Sequence, residues 1–187
     1  MRPQKIKDQD LLNGMMAVLR TKGYVGSSLN DLASASGLQK ASLYHRYPGG
    51  KKEIGLAVLH FVIEWIEEKI VAVLHDQQVR PKDRLNTALT NIDTLYDSGK
   101  STCIIRALSV DSGLNLFGEE LKDAISKWID AFYQIGLDVG QSKVVSKKNA
   151  MQVLVEIQGS LILSKTLDDT APFQSALKKI KSMYKVN

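Results

Sequence analysis

The stretch Ser27–Ile54 (SSLNDLASASGLQKASLYHRYPGGKKEI) restricts the possible folds of this chain more than any other segment. Ser28 is a favourable N-cap residue, and Asp31 three positions later can complete a capping box, so a short helix is predicted directly after Ser28. Gly37 suits the left-handed conformation that closes such a helix. A second short helix then follows, with Ala41 and Leu43 predicted to be buried. Two short helices joined by a tight turn have the spacing of a helix-turn-helix.

Charge decides between two interpretations of this spacing, since a plain helical hairpin in an all-α core would show it too. Residues 1–52 contain nine Lys or Arg and three Asp, a net charge of +6. The whole chain carries +5, so the remaining residues sum to −1. A basic head on a nearly neutral body favours a segment that binds a polyanion such as DNA.

Composition predicts an all-α protein. The chain has 187 residues, 44% of them hydrophobic, with four Pro and no strand-like alternation beside hairpin signals. We expect an N-terminal three-helix helix-turn-helix domain over residues 1–52 and a C-terminal helical domain for effector binding and dimerisation over 53–187. No apolar run reaches the length of a membrane span, and the polar N-terminus lacks a signal segment, so a cytoplasmic protein is expected.

Helical periodicity divides the chain into nine predicted helices after a short basic arm at residues 1–8, which could also be a frayed terminus. They cover residues 9–22, 29–35, 39–46, 51–75, 82–97, 103–112, 118–140, 147–166 and 171–185. Gly14 lies inside the first helix, and the expected reason is close packing against a neighbour. The helix over 147–166 has apolar residues around its whole circumference, so its second side is predicted to meet another subunit, together with the last helix.

Enzymatic chemistry is not expected. The three His are scattered without zinc-ligand spacing, and neither a phosphate-binding Gly-rich motif nor a GxSxG motif is present. A single cysteine, Cys103, excludes an intrachain disulfide and a multi-cysteine metal site. No cofactor and no metal are therefore predicted.

A family resemblance becomes specific at the end of the second motif helix. Leu43-Tyr44-His45-Arg46-Tyr47-Pro48-Gly49-Gly50-Lys51 resembles the LYxxY/F-P-x-x-K pattern of the DNA-binding domain of TetR-family bacterial repressors. The similarity is strong over about residues 9–58 and rests beyond them on helical architecture and length. Leu19 stands where the family often has Phe, and Gly14 where it often has Ala, which concerns packing rather than DNA contact.

The resemblance implies a set of DNA-binding residues. Ser28, Tyr44 and Lys51 would contact phosphates, and a lysine at a helix N-terminus is also a physically reasonable anion site. The candidates for contact with base edges are Gln39, Lys40, Ser42 and His45. Lys40 could read guanine and Gln39 adenine. For each residue the alternative is an ordinary solvated side chain.

The resemblance also implies a small-molecule pocket in the body. Acidic residues do not cluster on the inward helical stripes, so the expected effector is neutral or weakly polar and partly aromatic. The candidate lining residues are Trp65, Tyr96, Cys103, Leu108, Phe117, Trp128, Phe132 and Gln158. Ordinary core packing is the alternative for each of them. Cys103 is either a buried structural thiol or a redox sensor.

These expectations describe a sequence-specific transcriptional regulator, a homodimer joined through its C-terminal helices. It would repress from a palindromic double-stranded DNA operator and leave it when an effector binds. The alternative is a helical small-molecule-binding or protein-interaction module without DNA binding.

Overall fold

The computed structural model describes residues 7–110 and 112–184, and these residues form an all-α fold without a strand, as predicted. In chain order the elements are α1 (Asp8–Gly26), α2 (Leu29–Ala35), α3 (Lys40–Arg46), α4 (Gly50–Ile66), a π-helical turn (Glu67–Val71), α5 (Ala72–His75), α6 (Pro81–Leu95), a 3-10 turn (Asp97–Gly99), α7 (Ile104–Leu108), α8 (Gly113–Asp138), α9 (Lys143–Leu167) and α10 (Ala171–Met183). Most of the predicted arm (residues 1–6), Asp111 and Lys185 lie outside the described residues.

The chain divides into two compact units. The first unit comprises Met1–Ile63 and Ile104–Leu121, and the second comprises Glu64–Cys103 and Lys122–Asn187. These bounds are defined by contacts within the chain. The division into residues 1–52 and 53–187 instead assigns a function to each segment, and it stays a prediction.

In the first unit, α1 carries the core against which the two motif helices pack. Leu11, Met15 and Leu19 are buried at helical spacing. The helix is interrupted at Gly23, whose φ of 70° is non-helical, at the position where the sequence predicts its end. Three further residues, to Gly26, continue the segment beyond this kink.

Another part of the first unit differs from the prediction. The residues expected to connect two helices at 114–117 are helical, because α8 begins at Gly113. Phe117 explains the difference, since its ring is fully buried and packs edge-on against Tyr24 with 5.1 Å between ring centroids. Gly55 makes room for this ring, because a Cβ there would lie 2.7 Å from the Phe117 Cζ atom.

The second unit contains a buried ion pair. Arg84 Nη2 lies 2.8 Å from Asp138 Oδ2, and the Arg84 side chain is only 2% exposed. A second guanidinium nitrogen donates to the Leu74 carbonyl at 2.6 Å, while the Gln77 and Gln134 amides donate to the Asp138 carboxylate. These bonds offset the cost of burying both charges, and removal of one partner would leave the other uncompensated.

Close packing at Gly14 is confirmed. A Cβ built there would lie 2.0 Å from the Ala35 carbonyl oxygen and 2.8 Å from its carbonyl carbon, both backbone atoms at the end of α2. Backbone cannot rotate away as a flexible side chain can, so any side chain here would push α2 off α1.

We therefore expect Gly14→Ala to lower the free energy of unfolding by about 1–3 kcal/mol, because overpacking outweighs the gain in helix propensity. Gly118→Ala is the matched control in the same unit, since its nearest atom, Leu114 Cδ1, is 3.9 Å away. It should stabilise the protein by about 0.4–1 kcal/mol. Urea denaturation of both variants measures this, and a stabilised Gly14→Ala protein would contradict the close approach.

Candidate nucleic-acid interface

The capping box predicted at Ser28 and Asp31 is present at the start of α2. The Ser28 hydroxyl accepts from the Asp31 backbone N–H at 3.1 Å, and the Asp31 carboxylate accepts from the Ser28 N–H at 2.9 Å. Lys22 Nζ also lies 2.6 Å from Asp31 Oδ1. The hydrogen bond from Lys22 and those from Ser28 hold the pKa of Asp31 well below its ordinary value, so the cap stays ionised at neutral pH.

The turn and the bounds of α3 follow the sequence prediction, with one difference inside the helix. Gly37 has a φ of +70°, the left-handed conformation that ends α2. In α3, Leu43 is buried at 1% exposure and anchors the helix. The prediction that Ala41 is buried with Leu43 is wrong. Ala41 is exposed, because two positions along a helix turn a side chain to nearly the opposite side from Leu43.

The outer face of α3 carries five of the predicted DNA-binding side chains. All five are exposed, and none makes a hydrogen bond or ion pair within the part of the chain that the structure describes: Gln39, Lys40, Ser42, Tyr44 and His45. Tyr44 is a large aromatic residue left 44% exposed. The exposed face of this helix thus carries hydrogen-bond donors and acceptors that bind nothing within the described chain.

The other two predicted contacts, Ser28 and Lys51, have partners inside the protein. The Ser28 hydroxyl donates its single proton to Asp31 Oδ2 at 2.8 Å. Lys51 Nζ donates to the Ser27 carbonyl at 3.0 Å and, more weakly, to the Val25 carbonyl at 3.4 Å. An ammonium has three N–H groups, so one N–H of Lys51 has no acceptor among these contacts.

Tyr24 completes the environment of Lys51, and the sequence analysis did not identify this role. Lys51 Nζ lies 4.6 Å from the centroid of the Tyr24 ring, a cation–π geometry. The Tyr24 ring also packs edge-on against Phe117. A lysine from α4, an aromatic residue from the end of α1 and one from α8 therefore hold the loop that precedes α2.

Two acidic groups occupy positions beside this face. The Glu53 carboxylate accepts from the Gly49 backbone N–H at 2.7 Å, so it already fills part of the anion site at the start of α4. Asp8 pairs with Arg46 at 2.6 Å at the end of α3. The hydrogen bond that Arg46 donates to Asp8 raises the pKa of Arg46, which stays cationic.

The predicted effector residues are divided between the two units. Leu108 and Phe117 belong to the first unit, whereas the second unit contains Trp65, Tyr96, Cys103, Trp128, Phe132 and Gln158. Six of the eight are almost fully buried, and Trp65 and Gln158 are half-buried. The Cys103 thiol is buried and lies 3.4 Å from both the Tyr96 hydroxyl and the Gln158 amide. The Trp128 indole N–H is buried without an acceptor among the described residues.

The structure gives two further findings. Within residues 7–110 and 112–184, no group of three His, Cys, Asp or Glu side chains comes together as a metal site. None of the described helices is both long and apolar enough to cross a bilayer.

Two adjacent lysines test the internal role of Lys51. Lys51→Met should lower the free energy of unfolding by about 1–3 kcal/mol, because a charged hydrogen bond and a cation–π contact are lost. Lys52→Met is the control, since Lys52 is exposed and makes no ion pair within the described chain, and it should change stability by less than about 0.5 kcal/mol. Thermal and urea denaturation compare them, and equal effects would contradict a structural role for Lys51.

Comparison with known proteins gives one answer for the fold. The chain matches no family model. It is 22% identical over 168 residues to the HTH-type transcriptional regulator LmrA of Bacillus subtilis, covering 88% of this chain and 89% of LmrA. A TetR transcriptional regulator from Legionella pneumophila superimposes with a TM-score of 0.80 at 19% identity, covering 99% of this chain and 100% of that one.

A third similar protein was solved with DNA. It is a cysteine-substituted variant of the TetR-family regulator CifR in complex with a 26-base-pair operator, with a TM-score of 0.72 and 17% identity over 97% of this chain and 98% of that one. Together with the capped helix-turn-helix and the wholly helical body, these similarities confirm the resemblance drawn from the sequence: the chain has the all-α fold of the TetR family of transcriptional regulators.

Proposed function

We propose that this protein is a sequence-specific DNA-binding transcriptional regulator. The observation that carries the proposal is the outer face of α3, where five polar side chains are exposed and without partners in the described chain: Gln39, Lys40, Ser42, Tyr44 and His45. A polar face left unpaired on a firmly anchored helix suits the base edges and phosphates of a major groove. The complex of CifR with operator DNA supports the same use of the fold.

The side chains divide into two roles. Tyr44 and the spare N–H of Lys51 would bind phosphates and set the register of the head on the duplex. Ser28 could join them only by redirecting the proton that it gives to Asp31. Gln39, Lys40, Ser42 and His45 would meet base edges, with Lys40 suited to guanine and Gln39 to adenine.

A homodimer would place two such heads on a palindromic operator, and α9 supports one. Four of its exposed apolar residues follow helical spacing along one side, and three more lie beside them around the helix. We call this surface the α9 stripe: Val144, Met151, Val155 and Ile162, with Val145, Leu163 and Leu167. Gly159 lies within it, and a Cβ there would meet nothing within 4 Å, so a second backbone could approach closely. Exposed apolar residues grouped on one helix in this way are typical of a subunit interface.

The sequence predicts that the last helix presents an apolar face to a second subunit, and α10 differs from this prediction. In α10, Phe173, Leu177 and Ile180 are buried within the second unit. Its outer side carries exposed lysines, including Lys178 and Lys179. The proposed interface therefore takes its apolar area from α9, with α10 at the polar rim.

Repression and its release by an effector complete the proposal. Bound at an operator, the dimer would occlude a promoter, and a cytoplasmic location follows from that role. An effector in the body would favour a second state with displaced heads, through α4 and the Pro48–Lys51 segment that begins it. The effector can shift the equilibrium between the two states only if it binds them with different affinities. The buried Trp128 N–H, which lacks an acceptor in the described chain, supports a ligand with a polar atom near the core.

Selection of bound sites from random duplex DNA tests the proposal, followed by affinity measurements over a range of salt. We expect Lys51→Met to weaken binding to all sequences and to lower the salt slope by about one unit per contact per subunit. Lys40→Gln should change the preferred sequence instead. Lys122→Gln removes an exposed charge of α8 and is the control. A protein that gives no sequence-specific shift at any salt would instead be a module without DNA binding.

Val155→Glu tests the dimer, because it places two charges in the middle of the proposed interface. We expect sedimentation to show a monomer and operator affinity to fall by about 100-fold or more, since only one head then binds. Lys122→Glu should leave both properties unchanged. A Val155→Glu protein that still sediments as a dimer would exclude the α9 stripe as the interface.

A further inference from the structure

A cavity of about 960 Å³ lies in the second unit between the start of α6, the end of α8 and the end of α10. None of the eight residues predicted to bind an effector lines it. We propose that this cavity binds a small amphipathic carboxylate, an organic acid with an apolar body. The proposal concerns a ligand site of the second unit, separate from the core residues considered above and independent of DNA binding.

Positive charge surrounds the cavity. Lys82 and Lys181 line it, and both are exposed and without an ion-pair partner in the described chain. Arg80 lines it too and uses its Nε for Asp83 at 2.7 Å, which leaves its remaining N–H groups. No side chain caps the N-terminus of α6, which begins here with Pro81. These groups together would attract an anion.

The acidic lining residue does not oppose this charge. Asp138 is paired with buried Arg84 at 2.8 Å and accepts further bonds from Gln77 and Gln134. Burial alone would raise the pKa of Asp138, but these hydrogen bonds together lower it, so the carboxylate stays ionised and neutralised by its own arginine. The charge that remains at the cavity is that of the lysines and Arg80.

Tyr184 supplies an unused hydrogen-bond donor at the same place. The residue lines the cavity and is 3% exposed, and its hydroxyl is buried without a partner in the described chain. Its ring lies 6.0 Å from that of Phe132, which fixes its position. Burial raises the pKa of Tyr184, so the hydroxyl keeps its proton. A buried donor without an acceptor is costly, and a ligand carboxylate would satisfy it.

The apolar part of the cavity wall indicates the chemistry of the rest of the ligand. Leu85, Val139 and Pro81 line the cavity beside the charged groups. A few polar groups on a mostly apolar wall are the usual arrangement of a small-molecule site, and the volume falls in the usual range. The wall would take an aliphatic or aromatic body while the lysines and Tyr184 hold the carboxylate.

Calorimetric titration of the full chain with octanoate and with octan-1-ol tests the proposal, because the two probes share a chain length and differ in charge. We expect octanoate to bind about tenfold or more tightly than octan-1-ol, as charged hydrogen bonds are stronger. The double substitution Lys82→Glu with Lys181→Glu should weaken octanoate by about tenfold or more and leave octan-1-ol unchanged. Lys122→Glu, which reverses a charge elsewhere in the second unit, should alter neither.

Tyr184→Phe separates the hydroxyl from the packing of the ring. It should preserve the melting temperature and weaken octanoate by about threefold or more. Equal affinity for the two probes, no heat with octanoate, or octanoate binding that survives the double charge reversal would each overturn the proposal. Operator binding is measured separately on the same variants, so failure of this site and failure of the regulator function remain distinguishable.

Discussion

The helices α2 and α3 have seven residues each, and helices this short are not stable alone in water. They therefore depend on contacts with the rest of the first unit. The capping box at Ser28 satisfies the open end of α2. The bare backbone at Gly14 lets α1 lie against the end of α2. Burial of Leu43 fixes α3 by its inner side. Because these inner contacts stabilise the helices, the outer side chains of α3 are not needed for folding and are available for the proposed contacts with DNA.

Lys51 illustrates how a residue can serve the fold and the proposed function together. Its ammonium joins the carbonyls of Val25 and Ser27 to the ring of Tyr24, directly before α2 begins. A phosphate at its third N–H would therefore meet a charge that is already held in place. Loss of the lysine removes both the contact and the anchoring of the loop, which is why stability and DNA affinity have to be measured separately.

Local chemistry made the head predictable from sequence, and long-range packing limited the rest. The cap at Ser28, the left-handed Gly37 and the bounds of α2 depend on neighbours within a few residues, so their pattern is visible in the chain. The acceptors of Lys51 are 24 and 26 residues away, beyond any local signal. Hydrophobic periodicity likewise predicts which face of a helix is buried, but not which other helix packs against that face.

The same limit applies to the predicted effector residues. Phe117 sits on the inward stripe of a helix, as predicted, but its partners are Tyr24 and Gly55 of the first unit. Tyr184 gave no sequence signal as a ligand contact, because an aromatic residue in a terminal amphipathic helix is typical core. Only its buried, unpaired hydroxyl beside a cavity marks it.

The exposed apolar residues of α9 have a consequence for how the protein would respond to its own abundance. If pairing through Val155 and its neighbours assembles the active species, the amount of that species rises with the square of the monomer concentration at low levels. Operator occupancy would then change steeply with synthesis and dilution, without any ligand. The strength of one hydrophobic stripe would set the cellular concentration at which the regulator begins to act.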